Sequence, residues 1–334
     1  MKHVVINGFG RIGRSFLRSY LLDKKAQKSI KIIAINVGPA NKEWSAHLFK
    51  YDTFMGTWPE KVVYKDNYLS IGNHKILILQ TTDPAELPWK KLKVDWVVDS
   101  SGQFTHQQEA QKHIAAGAKK VLITAFAQDP DVTVVMGVNE GAYDPEIHRI
   151  VSLASCTANA FYPIVKTLHD AFEVEFFSMN ALHSYTNRQV LMDVESVSLR
   201  RSRGAAQNII PTTLQASHRI REVYPKFSGS IAGQSTRIPV GKVSFLDVAF
   251  VTEAVVKVAD INEAFMRVAQ DTMQGVVNIS GEPLVSSDYI NNPYSVTIDE
   301  SLTSVAGPLG KVFGWYDNEA GYSHRVKDFL VRHG

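Results

Sequence analysis

The sequence predicts an α/β unit built on a doubly wound parallel sheet, followed by an α+β unit whose sheet is mainly antiparallel. Three observations carry this. A strand, a glycine turn, a helix and a second strand follow one another within about the first 35 residues. Beyond residue 175 the pattern changes to long strands of alternating polarity. Between these halves a single cysteine, Cys156, stands where a strand-like stretch meets a helix-like one.

In the first half, Val4 to Ile6 reads as a short buried strand, and Gly8-Phe9-Gly10-Arg11-Ile12-Gly13 follows at once. Arg14 to Leu22 has helical spacing, with Phe16, Leu17 and Tyr20 on one side, and Lys31 to Ile35 is a second apolar strand. This is the setting in which the GxGxxG pattern of a Rossmann-type sheet acts. One glycine turns the chain, the next admits a pyrophosphate, the third packs helix on strand, and the helix N-terminus holds the phosphates. An acidic residue usually ends the second strand and binds a ribose hydroxyl; here the strand ends Ile35-Asn36-Val37-Gly38. Asn36 is expected to accept from that hydroxyl instead. Without a carboxylate, a 2′-phosphate meets no repulsion, a term of about 3 kcal/mol at ~5 Å and an effective dielectric of ~20. NAD and NADP therefore both stay open. Further strands are expected at Asp95 to Asp99, Lys120 to Thr124 and Val132 to Val138, with a helix at His106 to Ala115. Short β segments between Val62 and Leu79, with Asp66-Asn67 and Gly72-Asn73 turns, read as inserted hairpins.

The second half is expected to hold strands at Glu175 to Leu182, Ile231 to Val240 and Val243 to Val256, and a helix at Ile261 to Ala269 with Asp260 as its N-cap. The expected division is 1–154 for the nucleotide domain and 155–317 for the catalytic domain. A C-terminal helix, 318–334, is expected to pack back on the first domain.

Composition bounds the function. The chain has 334 residues, 45% hydrophobic and 21% charged, with a net charge of +3. Basic residues are scattered apart from Arg200-Arg201-Ser202-Arg203, which gives no nucleic-acid stripe. No apolar run approaches the ~18 residues of a membrane helix. One cysteine suits a reducing compartment, and Asn7 and Gly8 come too early for a secretion signal, so a cytoplasmic protein is expected. No His, Cys or carboxylate group has zinc-ligand spacing, and no metal is expected.

Chemistry gathers at Cys156. A thiol at the start of a helix sits near free N–H groups and the positive end of the dipole, which should lower its pKa to ~7.5 or below. His183 lies at the end of an expected strand, within Ala181-Leu182-His183-Ser184-Tyr185-Thr186-Asn187. A histidine in that position can reach a helix-terminal thiol and act as its base.

Asn7-Gly8-Phe9-Gly10-Arg11-Ile12-Gly13-Arg14, Ser155-Cys156-Thr157, His183-Ser184-Tyr185-Thr186-Asn187, Arg200-Arg201-Ser202-Arg203 and Trp315-Tyr316-Asp317-Asn318-Glu319 occur in this order. Together they resemble the phosphorylating glyceraldehyde-3-phosphate dehydrogenase family, from Lys2 to Asp328. The resemblance implies a homotetramer acting on a small phosphorylated aldehyde, with NAD as hydride acceptor and inorganic phosphate as second substrate. It implies a Cys156 thiohemiacetal and then a thioester, with His183 as base. Thr186 and Arg237 would hold the substrate phosphate, and Ser155, Thr157 and Arg201 the attacking phosphate. Gly8, Phe9, Gly10, Arg11, Ile12, Gly13, Asn36, Ser101, Gly102, Thr124, Asn318 and Tyr322 would line the cofactor.

The chain also departs from that pattern. Ala160 stands where a second cysteine is usual, Ala320 where a tryptophan is usual, and Thr82 where an arginine often packs on adenine. Thr213-Leu214-Gln215 lacks the Thr-Gly that would bind attacking phosphate, a loss on the order of 100-fold in rate. Arg188 replaces an aspartate and adds charge nearby; Glu195 favours NAD over NADP. Two other readings stay open at this point. One is an erythrose-4-phosphate dehydrogenase that releases its thioester to water. The other is a non-catalytic cofactor-binding or redox-sensing paralogue.

Overall fold

The computed structural model describes residues 1–333. They form two units, Met1–Val134 with Glu140–Ser155 and the chain from Ser323, and Val135–Asn139 with Cys156–Tyr322. The detour of Val135–Asn139 into the second unit has no mark in the sequence.

The first unit opens with β1 (Lys2–Asn7), whose last four residues are buried. Helices α1 (Arg11–Leu22) and α2 (Lys24–Ser29) lead to β2 (Ile30–Asn36), and α3 (Ser45–Lys50) follows. The expected hairpins are β3 (Val62–Lys65), β4 (Tyr68–Ile71) and β5 (His74–Leu79), joined antiparallel through left-handed residues at Asp66, Asn67 and Gly72. Then come α4 (Trp89–Leu92), β6 (Trp96–Asp99), α5 (Gln107–Ala115), β7 (Lys120–Ile123), β8 (Val132–Thr133) and β9 (Ile150–Ser152). The sheet order is β3-β4-β5-β2-β1-β6-β7-β9-β8. From β5 to β8 every pairing is parallel. The chain winds from β1 to β2 on one side and then to β6 on the other, which leaves a crevice at the carboxyl ends of these strands. The strand expected to run to Val138 ends at Thr133, because only that length pairs with β9.

The second unit begins with α6 (Cys156–Phe172), largely buried from Thr157 to Val165. Its sheet comprises β10 (Phe176–Ser184), β11 (Ile210–Thr212), β12 (Ser230–Ile238) and β13 (Ser244–Val251). After α7 (Val258–Gln270) it continues with β14 (Val277–Ser280), β15 (Val296–Asp299), β16 (Ser304–Ala306) and β17 (Leu309–Tyr316). The order is β11-β12-β10-β13-β17-β15-β14, with β16 beside β17. β10 runs parallel to β12, and β14 to β15; the remaining pairs are antiparallel. Phe177 centres the core, with its ring 5.7 Å from Phe227 and 6.3 Å from Phe250. Asp260 is not the N-cap of α7. The helix starts at Val258, and the Asp260 carboxylate reaches back to the Lys257 N–H at 3.1 Å.

The last helix, α8 (Ala320–His333), begins two residues after the expected start, because Asp317 accepts the N–H groups of Glu319 and Ala320 at 2.9 Å. Its C-terminal part belongs to the first unit. There Phe329 meets Trp96 edge-on at 5.7 Å and Tyr143 at 5.1 Å, and Lys327 pairs with Asp23 at 2.6 Å.

Candidate active site and cofactor cavity

In the first unit a cavity of about 690 Å³ opens at the crevice, lined by Gly8, Phe9, Gly10, Asn36, Val37, Ser101 and Phe104 among others. Two glycines shape it. Gly8 has φ +92°, and a Cβ there would lie 2.5 Å from the Ser101 backbone. A Cβ on Gly13 would lie 2.3 Å from the Gly8 carbonyl. The N-cap of α1 is Gly10, with no side-chain cap and no acidic residue in the first turn. An uncapped helix N-terminus of this kind suits an anion.

A chain of buried hydrogen bonds runs beneath this cavity. The indole N–H of Trp89 donates to His113 Nδ1 at 3.0 Å, so that nitrogen carries no proton. Nε2–H of His113 then donates to Asp99 Oδ2 at 3.3 Å. The same oxygen accepts from Asn7 Nδ2 at 2.8 Å, and Asp99 Oδ1 accepts from Ser101 Oγ at 2.7 Å. Asn36 Nδ2 donates to Asn7 Oδ1 at 2.7 Å and to the Thr81 carbonyl at 2.9 Å, while its Oδ1 accepts from Thr81 N–H at 2.9 Å. The ends of β1, β2 and β6 and the loops at Thr81 and Ser101 are tied together in this way.

Asn36 lines the cavity, and its amide is bonded to Asn7, Thr81 and the Gly38 N–H, so it braces the wall. Of the other expected cofactor residues in this unit, Gly8, Phe9, Gly10 and Ser101 line the cavity. Arg11, Ile12, Gly13, Gly102 and Thr124 are outside its lining. Arg11 is engaged by Asp52, and Thr124 Oγ1 donates to the Asp99 carbonyl at 3.0 Å.

In the second unit Cys156 is the first residue of α6 and partly exposed; two residues earlier Ala154 has φ +52°, a left-handed conformation that costs a residue with a Cβ on the order of 1 kcal/mol. Its sulfur is 3.7 Å from His183 Nε2. His183 Nδ1 is 2.7 Å from the Ser184 carbonyl, which can only accept. The proton therefore sits on Nδ1, and Nε2 presents its lone pair to the thiol. Burial first, and the Arg237 cation second, push the His183 pKa down to about 3. Burial therefore favours the neutral imidazole, whose Nε2 lone pair faces the thiol.

The expectation of a lowered thiol pKa does not hold. Burial pushes the Cys156 thiol up, outweighing Arg237 and the N–H groups of Thr157 and Cys156 itself, which all favour the thiolate. Burial thus favours the uncharged form of both thiol and imidazole.

Strand register assembles the rest. His183 on β10 is the direct neighbour of Arg237 on β12, and Arg237 faces Ile210 on β11. Arg237 Nε and Nη1 are buried without a hydrogen-bond partner. Arg201 is fixed by its Nε donating to Thr212 Oγ1 of β11 at 3.0 Å. Thr186 donates through N–H and Oγ1 to Gln189 Oε1 at 2.8 and 3.0 Å, and Gln189 Nε2 is left buried without a partner. Thr157 Oγ1 meets the Tyr316 hydroxyl at 3.1 Å, and the Tyr316 ring stands edge-on to His183 at 6.0 Å. Ser155 falls with the first unit. Leu214 is half-buried, with its Cδ2 packed over Gly233, and supplies no donor.

Asn318 Oδ1 accepts from Ser184 Oγ at 2.9 Å, which leaves its amino group as the remaining donor. Asp317 holds this segment. It accepts from Asn291 N–H at 2.7 Å and pairs with the buried Lys242 at 3.1 Å. Tyr322 is buried, 3% exposed. Sequence reasoning missed Tyr316, Gln189 and Thr212. Gln189 had a local signal, three residues after Thr186; the other two need the sheet pairings. Among the described residues no three His, Cys, Asp or Glu side chains form a metal-holding group, and no helix is long and apolar enough to cross a membrane.

A parallel sheet with a glycine turn at its switch point, joined to a unit carrying a thiol beside a bare imidazole nitrogen, defines a thiol-bearing protein with a dinucleotide-type fold. Comparison with known proteins specifies the family. Residues 2–107 match the glyceraldehyde 3-phosphate dehydrogenase NAD binding domain, and residues 155–318 match the C-terminal domain of the same family. The glyceraldehyde-3-phosphate dehydrogenase 2 of Bacillus subtilis is 44% identical over 99% of this chain and 96% of its own. The glyceraldehyde-3-phosphate dehydrogenase of Geobacillus stearothermophilus is 42% identical over 98% of this chain and 97% of its own. The chain belongs to the glyceraldehyde-3-phosphate dehydrogenase family.

Proposed function

We propose that this chain is an NAD-dependent phosphorylating dehydrogenase that converts glyceraldehyde 3-phosphate and inorganic phosphate to 1,3-bisphosphoglycerate. The observation that carries the reading is the Cys156–His183 pair, 3.7 Å apart with Nε2 unprotonated, beside the buried and unpartnered guanidinium of Arg237.

The cavity of the first unit fits the cofactor. An uncapped helix N-terminus suits the pyrophosphate, and Glu109, whose buried Oε2 lacks a partner, is among the lining residues. When bound, the nicotinamide supplies a hydride acceptor. The residues do the remainder. As Cys156 Sγ adds to the aldehyde carbon, His183 Nε2 takes the thiol proton and returns it to the new alkoxide, giving a thiohemiacetal. His183 then takes the hydroxyl proton as the carbon is oxidised to a thioester. The Cys156 N–H at the head of α6 faces the developing oxyanion. Arg237 and Thr186 hold the substrate phosphate, an anion that a forked cation and a short hydroxyl recognise together. Phosphate guided by Arg201, Ser155 and Thr157 attacks the thioester, and the sulfur leaves as the acyl phosphate forms. Asn318 orients the carboxamide through its free amino group.

Association of several copies, a tetramer by family pattern, is supported by an exposed apolar segment. Leu191, Met192, Val194, Val197, Leu199 and Ile209 all project from residues 191–209, with Leu199 92% exposed. Light scattering that returned only monomer would remove this part. Steady-state NADH formation from glyceraldehyde 3-phosphate, with phosphate present and omitted, tests the activity. Strong dependence on phosphate is expected. A rate indifferent to it would replace acyl transfer to phosphate with hydrolysis.

A further inference from the structure

Only two charged side chains, Arg14 and Glu109, line the cavity of the first unit. Arg14 turns a guanidinium nitrogen to the Phe9 carbonyl at 2.7 Å. Glu109 is different. It occupies the first turn of α5, where the helix dipole favours a carboxylate, and its Oε2 is buried with no hydrogen-bond partner. A buried acceptor left empty is costly, on the order of 1–3 kcal/mol, so such a group in a binding cavity marks a place where a ligand donor belongs.

The cofactor's parts distribute along the cavity by chemistry. The pyrophosphate goes to the uncapped N-terminus of α1, and the adenosine ribose to the end of β2 at Asn36–Gly38. What remains for the wall formed by Thr81, Thr82, Gln103, Phe104 and Glu109 is the base. Phe104 offers a ring there, held edge-on against the buried His113 at 5.8 Å. On the edge of adenine the exocyclic amine is the one donor, and the ring nitrogens are acceptors. A carboxylate oxygen matches the amine and repels an oxo group in its place.

We propose that Glu109 reads the 6-amino group of the cofactor's adenine and is a specificity-determining residue of the cofactor site. The inference rests on the cofactor lying in this cavity. It assigns the polar recognition of the base to a carboxylate from α5, since Thr82 is too short to stack on it.

Equilibrium calorimetry with NAD and with nicotinamide hypoxanthine dinucleotide, which carries an oxo group in place of the amine, tests this without turnover. The wild-type protein should bind NAD at least ~10-fold more tightly than the analogue. Glu109→Gln and Glu109→Ala should each bring the two affinities within about 3-fold, mainly by weakening NAD. Phe104→Ala serves as the control for location and should weaken both dinucleotides. If Phe104→Ala weakens both while the Glu109 variants keep the wild-type ratio, Glu109 does not read the base and the cofactor site stands. If Phe104→Ala changes neither affinity, the base does not lie on this wall, and the cavity assignment fails together with the proposal.

Discussion

The cofactor cavity and the thiol centre are built by opposite means. The cavity is a local object. Its glycine turn, its uncapped helix and the strands on either side lie within a short stretch, and a buried hydrogen-bond chain from Trp89 to Thr81 locks the strand ends. The thiol centre is a long-range object. Cys156 opens a helix, while His183, Arg237, Thr212 and Tyr316 come from four different strands whose pairing places them. One site depends on backbone that only glycine permits, the other on sheet register. Single substitutions should therefore separate binding from chemistry.

The largest separation is expected from Cys156→Ser. Turnover should fall by more than about 1,000-fold, because an alcohol is a far poorer nucleophile at neutral pH. NAD affinity measured by calorimetry should stay within about 2-fold. Wild-type turnover would remove the assigned role of the sulfur. Next in size is Phe329→Ala, which removes the ring between Trp96 and Tyr143 and should cost about 3–5 kcal/mol in denaturant unfolding of the first unit. A loss below about 1 kcal/mol would mean that the C-terminal helix is not part of that core.

His183→Asn should lower kcat/KM by roughly 100-fold. It carries a second readout in stability against pH. The His183 pKa is depressed to about 3 in the folded protein and is near 6.5 when unfolded. Below pH 6.5 the unfolded chain takes up a proton that the native chain does not, so stability falls from there toward pH 3. The variant should show a shallower acid limb; an unchanged limb would mean that His183 is not the buried neutral base described above.

For the thiol itself the direction is upward. Burial favours the protonated form, so alkylation by iodoacetamide in the cofactor-free protein should keep accelerating beyond pH 9, about tenfold per unit below the midpoint. A midpoint below pH 8 would show that the helix N-terminus and Arg237 dominate after all. The smallest effect concerns the attacking phosphate. Leu214→Thr places a hydroxyl two residues after Thr212, the partner of Arg201, and should lower KM for phosphate by up to about 10-fold, with kcat changed less. No change in KM would mean that this position does not touch phosphate.

Much of this was legible in the sequence where the determinant was local. GxGxxG between two apolar strands announces the cavity, and a cysteine at a strand-to-helix boundary announces the thiol. Asn36 shows the limit. Its place at the end of β2 was legible, but its four hydrogen bonds to Asn7, Thr81 and Gly38 were not, since they join distant loops. The thiol pKa failed for a related reason. A helix terminus can be recognised from sequence, whereas the burial that opposes it depends on tertiary packing. Arg237 and Tyr316 gain meaning only from strand pairing, and His113 only from the contacts that join Trp89 to Asp99 in the polar chain.

The central claim is that Cys156, with His183 as base, carries the acyl group between oxidation and phosphorylation. Its most direct test is a single-turnover measurement with excess NAD and glyceraldehyde 3-phosphate in phosphate-free buffer. The account predicts a rapid burst of about one NADH per Cys156, then a slow phase that phosphate restores to full turnover. Reduced, folded protein giving no burst, or full turnover without phosphate, would contradict it.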